Sequence, residues 1–557
     1  MNDPFAAVLV LLVAPLWYFA ARLGLLSRPK APTIVAIASA VLLLAAMPRS
    51  GLGIPELKRL ALLITTAAAL LQLCRAVGVP AFGRRELRLA LLGLLAVAAI
   101  AVHLNFFAFH GRRTYVHLHD VAHYYLGSKY HREVGYDGLY TAMLRAEAEL
   151  HHDHFRAIEA RELETNALVH IRALLIRSEP VKHAFTPERW RSFQADVDYF
   201  RQALGPQWGD VLRDNGFNAP PFWALVGGAI ANLVPAGNAS GILAITLIDG
   251  VLEALTFAVI GATFGVEVGL LAIVYFCTIF GTGFGWTGGA YLRYLELAGV
   301  LIAAAELHRR RHAAAGALLG LATLLRLFPA VLLAGLALRS ARSLLRGEGL
   351  PPGHVRLFGA FAAVVVVGVA LTATAPAGAA HWREFRDKLR LHVEFPATNR
   401  VSLLAALTYP GERLSETPEG HAREVARRNR LHRIQLLVAA PLVLLLLILV
   451  ARRLDDVGAL AAGVPVLFVT LDVTGYYWWL LLLLLIANRD RPAILALLFA
   501  VEAGSYSLLL FEDAERLLYA WRSILVGVAL LAVYLDPLRQ EARRLRVRFR
   551  TLPRVTA

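Results

Sequence analysis

The chain has only two cysteines, Cys74 and Cys277, and both lie inside apolar runs, so no disulfide framework is expected. No internal repeat is visible, which sets the chain apart from transporters built on duplicated halves. The first apolar run, 5–26, has no basic stretch before it and is long enough to span a bilayer, so a cleavable signal peptide is not expected. The formal net charge is +16, yet no nucleic-acid-binding module can be recognised. The arginines gather instead in short loops between apolar segments, as the positive-inside rule requires. What the chain does have is apolar residues. Hydrophobic types make up 57% of its 557 residues and the mean hydropathy is +0.56. That balance excludes a soluble globular protein and points to a polytopic membrane protein.

Apolar runs of spanning or near-spanning length fall at 5–26, 33–47, 57–77, 87–109, 240–262, 266–283, 289–307, 313–338, 355–375, 434–451, 457–474, 476–487, 493–511 and 517–535. The expected fold is all-α, a polytopic integral membrane protein of roughly 13–16 membrane helices. Basic loops place the N-terminus outside, residues 110–218 outside and the C-terminus inside. The expected divisions are N-terminal membrane helices at 1–86 and a core module at 87–375 that includes a helical outer loop, 110–218. A second outer loop follows at 376–433, then C-terminal membrane helices at 434–535. The basic tail, 536–557, is expected to lie inside against anionic lipid.

Within the outer loop, residues 141–175 lack Gly and Pro and read as one helix. A second helix should start at Pro187 with Thr186 as its cap, and Trp190, Phe193, Val197 and Phe200 should form its apolar face. The HHDH run at 151–154 has no partner ligand cluster in sequence and reads as a solvated helix face, so no metal ligand is assigned. Two prolines, Pro220 and Pro221, suit the first turn of the helix that re-enters the membrane. Loop parity requires a half-length or re-entrant segment between 236 and 288, where glycines could support a bend. The run 313–338 is too short for two spans and carries Pro329 near its middle, so it should be a broken helix or hairpin with Arg326 at the turn. An arginine there needs a partner or a wet cavity. The arginines at 423–433 conflict with an outer location, and an amphipathic segment lying on the membrane surface would resolve this.

The stretch His117–Tyr140 packs acids, histidines and tyrosines into the start of the outer loop. Its bland reading is an ordinary interfacial segment, where tyrosine is common. Its chemical reading centres on Asp120, because a carboxylate at the interface can serve as a general base. Asp214 and Asp472, each at an outer helix end, are further acidic candidates, with caps or loop positions as the plainer account.

Taken in order, these motifs resemble the GT-C class glycosyltransferases, above all the bacterial polyprenol-phosphate-mannose-dependent mannosyltransferases. The resemblance rests on Asp120, Tyr124, Tyr125, Gly135 and Tyr140 in the first outer loop, then Pro220 and Pro221. It continues with GALLGLATLLRLFP, with Arg326 where lysine is usual, and with Asn399 and Ser402 in a later outer loop. It covers residues 87 to 490 and departs in its additional N-terminal helices, its long first loop and the missing Gly-Gln near Gly288.

The resemblance implies transfer of a hexose such as mannose from a polyprenyl-phosphate donor to a glycan, lipid or protein acceptor on the outer face of a bacterial inner membrane. It implies Asp120 as base, Arg293 and Arg326 as holders of the donor phosphate, and His119, His123, Tyr124, Tyr125, Tyr140 and Asn399 as substrate contacts. It implies no certain cofactor beyond the donor itself; a divalent metal is compatible with the chemistry but unsupported by spacing. The rival expectation is a transporter or flippase of lipid-linked sugars, which would share the hydropathy and the intramembrane arginine.

Overall fold

The computed structural model describes residues 51–111, 114–151, 155–375, 378–394, 397–408 and 418–550. The expected helices at 5–26 and 33–47 lie outside the described residues, as do His152, Asp153 and His154. Among the described residues, seven helices are long and apolar enough to cross a membrane: Ile54–Ala76, Arg85–His103, Ala239–Phe264, Phe328–Leu345, His354–Ala373, Ala422–Arg453 and Glu515–Arg543. Six shorter apolar helices accompany them. Large aliphatic side chains stand exposed along these helices, Val366 at 66% and Leu437 at 77% among them. A lipid environment removes the cost of that exposure. The protein is an all-α, membrane-embedded chain apart from two short strand pairs.

The chain divides into two compact units. The first takes in the chain up to Tyr115, Phe264–Gly288 and Gly475–Asp513. In it, Ile54–Ala76 packs on Pro492–Leu508 and Arg85–His103 packs on Val266–Cys277. Arg75 and Arg88 both reach Glu267, at 2.8 and 3.0 Å, and so join three helix ends. Val266–Cys277 has only 12 residues and gives way to irregular backbone, so it is the short element that loop parity demanded. The fully buried Glu502 holds the break by accepting from the Tyr275 hydroxyl at 3.0 Å and the Phe280 N–H at 2.8 Å.

The second unit comprises Val116–Thr263, Gly289–Thr474 and the chain from Ala514. The part before the helix Pro221–Ala231 is a small helical domain. Pro187–Leu204 starts as expected, with the Thr186 side chain accepting the Arg189 N–H at 3.3 Å, and Trp190, Phe193, Val197 and Phe200 are buried. The expected single helix over 141–175 is corrected. A helix runs from Leu139 to His151, and a hairpin then pairs Glu159–Glu162 with Ala167–His170. Buried Glu147 ends up accepting from Arg201 at 2.8 Å and from the Trp208 indole at 2.9 Å. Those tertiary bonds outweigh a helical propensity that is only a weak prior.

Pro221–Ala231 begins at the proline pair. The run 313–338 is broken as expected, into His312–Leu325, an extended Arg326, a 3-10 turn Phe328–Leu332 and Leu333–Leu345. The separate surface segment expected for the arginines at 423–433 is also corrected. Pro418–Ile434 continues through a π-helical turn, Gln435–Ala439, directly into Ala440–Val450. The basic residues thus form one end of a membrane helix, where long side chains can reach water. The tail begins as part of a single helix, Glu515–Arg550.

Candidate functional site

The helix Leu118–Lys129 begins where the His117 ring accepts the Asp120 N–H at 3.1 Å. Asp120 therefore occupies the first turn, where a negative charge meets the positive end of the helix dipole. It is 6% exposed. One carboxylate oxygen is paired with the Arg293 guanidinium, and the other accepts the Tyr291 N–H at 3.4 Å.

The segment that supplies these partners is not helical. Leu292 adopts a left-handed φ of 53°, costly for a branched side chain. Asp249, buried in the helix Ala239–Phe264, accepts the N–H groups of Arg293 at 2.7 Å and Tyr294 at 3.3 Å. The Trp223 indole donates to the Leu292 carbonyl at 3.2 Å. Two carboxylates, one on each side, thus replace the helical bonds this backbone lacks. Irregular backbone at membrane depth needs that kind of support. Burial works to raise the pKa of Asp120, but Arg293, then His117 and His123, outweigh it and hold the carboxylate below its usual range.

Arg326 ends the helix His312–Leu325 in extended conformation and is 8% exposed. It donates to the Tyr124 hydroxyl at 3.4 Å and lies over that ring at 5.5 Å. Tyr124 in turn donates to Asn218 at 2.8 Å, and the Asn218 amide meets His392 at 3.0 Å. Glu296, 1% exposed in the first turn of Leu295–His308, has no hydrogen-bond partner for either oxygen among the described residues. Its electrostatic neighbours are Arg326 and Arg293. Asp120 with Arg293 and Arg326 with Tyr124 are thus two separate contacts, with Glu296 in the electrostatic reach of both arginines.

Not every expected residue joins these contacts. Tyr125 is fully buried and its hydroxyl donates to the Val234 carbonyl while accepting from Lys129 at 2.7 Å. Neighbours in a helix point about 100° apart, so Tyr124 faces the site and Tyr125 faces the domain interior. Tyr140 is likewise fully buried, 2.6 Å from His123 Nε2. The structure thus places these two tyrosines, expected as sugar contacts, in the domain interior and apart from Arg293 and Arg326. Asn399 lies in the turn before the strand Arg400–Val401. Three residues on, Ser402 donates to Asp472 at 2.6 Å, and Asp472 pairs with Arg428 at 2.6 Å, a second polar cluster.

His119 and His123 take their hydrogen bonds from other partners than the Arg293 pairing. His119 Nε2 meets Asp214 at 3.0 Å, and His123 Nδ1 meets the His119 carbonyl at 2.9 Å. Burial lowers the pKa of His123 and so favours its neutral ring. Burial works to raise that of Asp214, but the hydrogen bond with His119 outweighs it and holds the carboxylate well below its usual range. Asp249 and Glu296 were missed in the sequence, although each is an acid inside an apolar run and such residues are functional candidates by default. An apolar cavity of about 230 Å³ lies elsewhere in this unit, between Ala440–Val450, Gly463–Thr470 and Glu515–Arg550. Comparison with protein families, curated proteins and solved structures finds no match for the chain.

Proposed function

We propose that the protein is a membrane glycosyltransferase of the GT-C type that moves a sugar, a hexose such as mannose, from a polyprenyl-phosphate carrier to an acceptor on the extracytoplasmic side of a bacterial inner membrane. The observation that carries this reading is the pairing of buried Asp120 with the half-buried Arg293. Sugar transfer from a phosphate carrier needs a base for the acceptor hydroxyl and cations for the phosphate that is left behind. This pairing offers both within one unit.

The pairing also sets the order of events. With Arg293 against it, Asp120 is ionised but weakly basic. A donor phosphate competes for the same guanidinium, and as Arg293 turns to the phosphate, buried Asp120 becomes a stronger base. Arg326, held by the Tyr124 hydroxyl, supplies the second donor set.

The test is transfer of radiolabelled mannose from polyprenyl-phosphate mannose to endogenous acceptors in membranes that contain the full chain. Transfer should be present in the wild type and reduced roughly 10²–10⁴-fold in Asp120→Asn. Wild-type rates in that variant exclude Asp120 as base. Movement of the lipid-linked sugar across vesicles without transfer would assign the chain to the flippases.

A further inference from the structure

We infer that His119, His123 and Asp214 form a binding site for a borderline divalent transition metal, Zn²⁺ in type, on the small helical domain. The inference does not depend on glycosyl transfer. His119 and His123 are four residues apart on the helix Leu118–Lys129, so they share a face, and their ring centroids are 5.0 Å apart. Asp214 comes from a different element, the end of the helix Trp208–Arg213. One ligand atom from each residue lies within 4.8 Å of the others, and His119 Nε2 is already 3.0 Å from Asp214 Oδ2. A tetrahedral zinc ion with ligands at about 2.1 Å keeps them roughly 3.4 Å apart. The 4.8 Å spread must close by a little over an ångström for all three to bind one ion.

The surroundings aim the ligand atoms. His123 Nδ1 lies 2.9 Å from the His119 carbonyl, and the tautomer that donates there leaves the Nε2 lone pair for an ion. Asp214 Oδ1 is occupied by the Asn215 N–H at 2.7 Å and its side-chain amide at 3.3 Å, which leaves Oδ2 for the site. In the ion-free protein the Nε2 lone pair is met by the Tyr140 hydroxyl at 2.6 Å, and that oxygen accepts the Gly216 N–H at 3.0 Å. The Val211 carbonyl is a further oxygen, 3.0 Å from Nε2. An ion on Nε2 takes the place of these two contacts.

Two histidines and one carboxylate suit zinc, and three protein ligands leave a position for water or another oxygen. The partly exposed side chains of His119, at 31%, and Asp214, at 45%, keep that position accessible. A second pair, His151 with Asp198 at 2.8 Å, shows the contrast, because no third ligand joins it among the described residues.

The experiment is Zn²⁺ binding to the full chain in detergent, by competition with a chromogenic chelator, together with the melting temperature with and without the ion. The wild type should hold one Zn²⁺ per chain and melt higher with it, since ligands of the native state stabilise it. His119→Ala and Asp214→Ala should each weaken binding by about 100-fold or more, because loss of even an outer-shell partner costs 10–100-fold. A variant with both His152→Ala and His154→Ala should bind as the wild type does. The inference is overturned if the wild type binds no zinc, if His119→Ala and Asp214→Ala keep wild-type affinity, or if binding disappears only when His152 and His154 are removed. His119 and Asp214 are partly exposed, so their truncation leaves the domain core in place, and the ion-free melting temperature verifies it.

Discussion

Asp120 carries more than one burden, and its substitution reads accordingly. Asp120→Asn removes the charge that compensates the half-buried Arg293, and breaking a fully buried pair costs about 3–5 kcal/mol, an upper bound here. Arg293→Gln, in the same reading, leaves Asp120 without its main cation. Burial then raises the carboxylate's pKa, so the acid limb of the pH–rate profile should move to higher pH, a shift that transfer assays at a series of pH values would reveal. His131 offers a test away from this group. It is buried, and neither ring nitrogen has a hydrogen-bond partner among the described residues. Burial, then His381, pushes its pKa down to about 3. The unfolded chain titrates near 6.5, so between those values it binds the proton and the folded chain does not. Stability is therefore complete above about pH 6.5 and falls as the pH drops toward 3, by up to about 1.4 kcal/mol per unit. His131→Phe should flatten that part of a stability-against-pH curve measured by thermal melting.

At the scale of elements, the features legible in the sequence were those with local causes. The Thr186 cap and Pro187 start define their helix without help from elsewhere, and Thr186→Ala should lower stability by about 1 kcal/mol. The break at Arg326 and the proline pair at 220 and 221 were legible for the same reason. The hairpin over 159–170 was not, because its cause lies in tertiary bonds such as those of Glu147. The reach of Pro418–Ile434 into the membrane helix was hidden by its charge. In the site, Asp120 and Arg326 were legible as charged residues near membrane segments. Glu296 and Asp249 were equally visible as acids in apolar runs, but their partners lie far away in sequence. Gly135 is a local case the sequence named without its reason. Its φ is 55° and a Cβ there would lie 2.7 Å from a Glu384 oxygen, so Gly135→Ala should destabilise the contact with Gly378–Glu394.

For the whole molecule, orientation is the property to test first. Arginine placement puts Ser192 outside and Glu348 inside, and both positions are exposed. In a chain lacking Cys74 and Cys277, Ser192→Cys should react with an impermeant thiol reagent from the outer side. Glu348→Cys should react only after permeabilisation. Reversed labelling would put Asp120 on the wrong side for an outer-face transfer.

The pairing of Asp120 with Arg293 joins residues 173 positions apart. During synthesis the carboxylate leaves the ribosome long before its cation, and the whole helix Ala239–Phe264 must be inserted between the two events. The helices of the small domain can form early from local contacts, while the charged centre waits for a late, long-range closure. A nascent chain halted before Gly289 would carry that domain folded with an uncompensated acid at its base. Assembly of the centre would then be the step at which slow insertion, or a shortened chain, leaves a protein that is present in the membrane and inert.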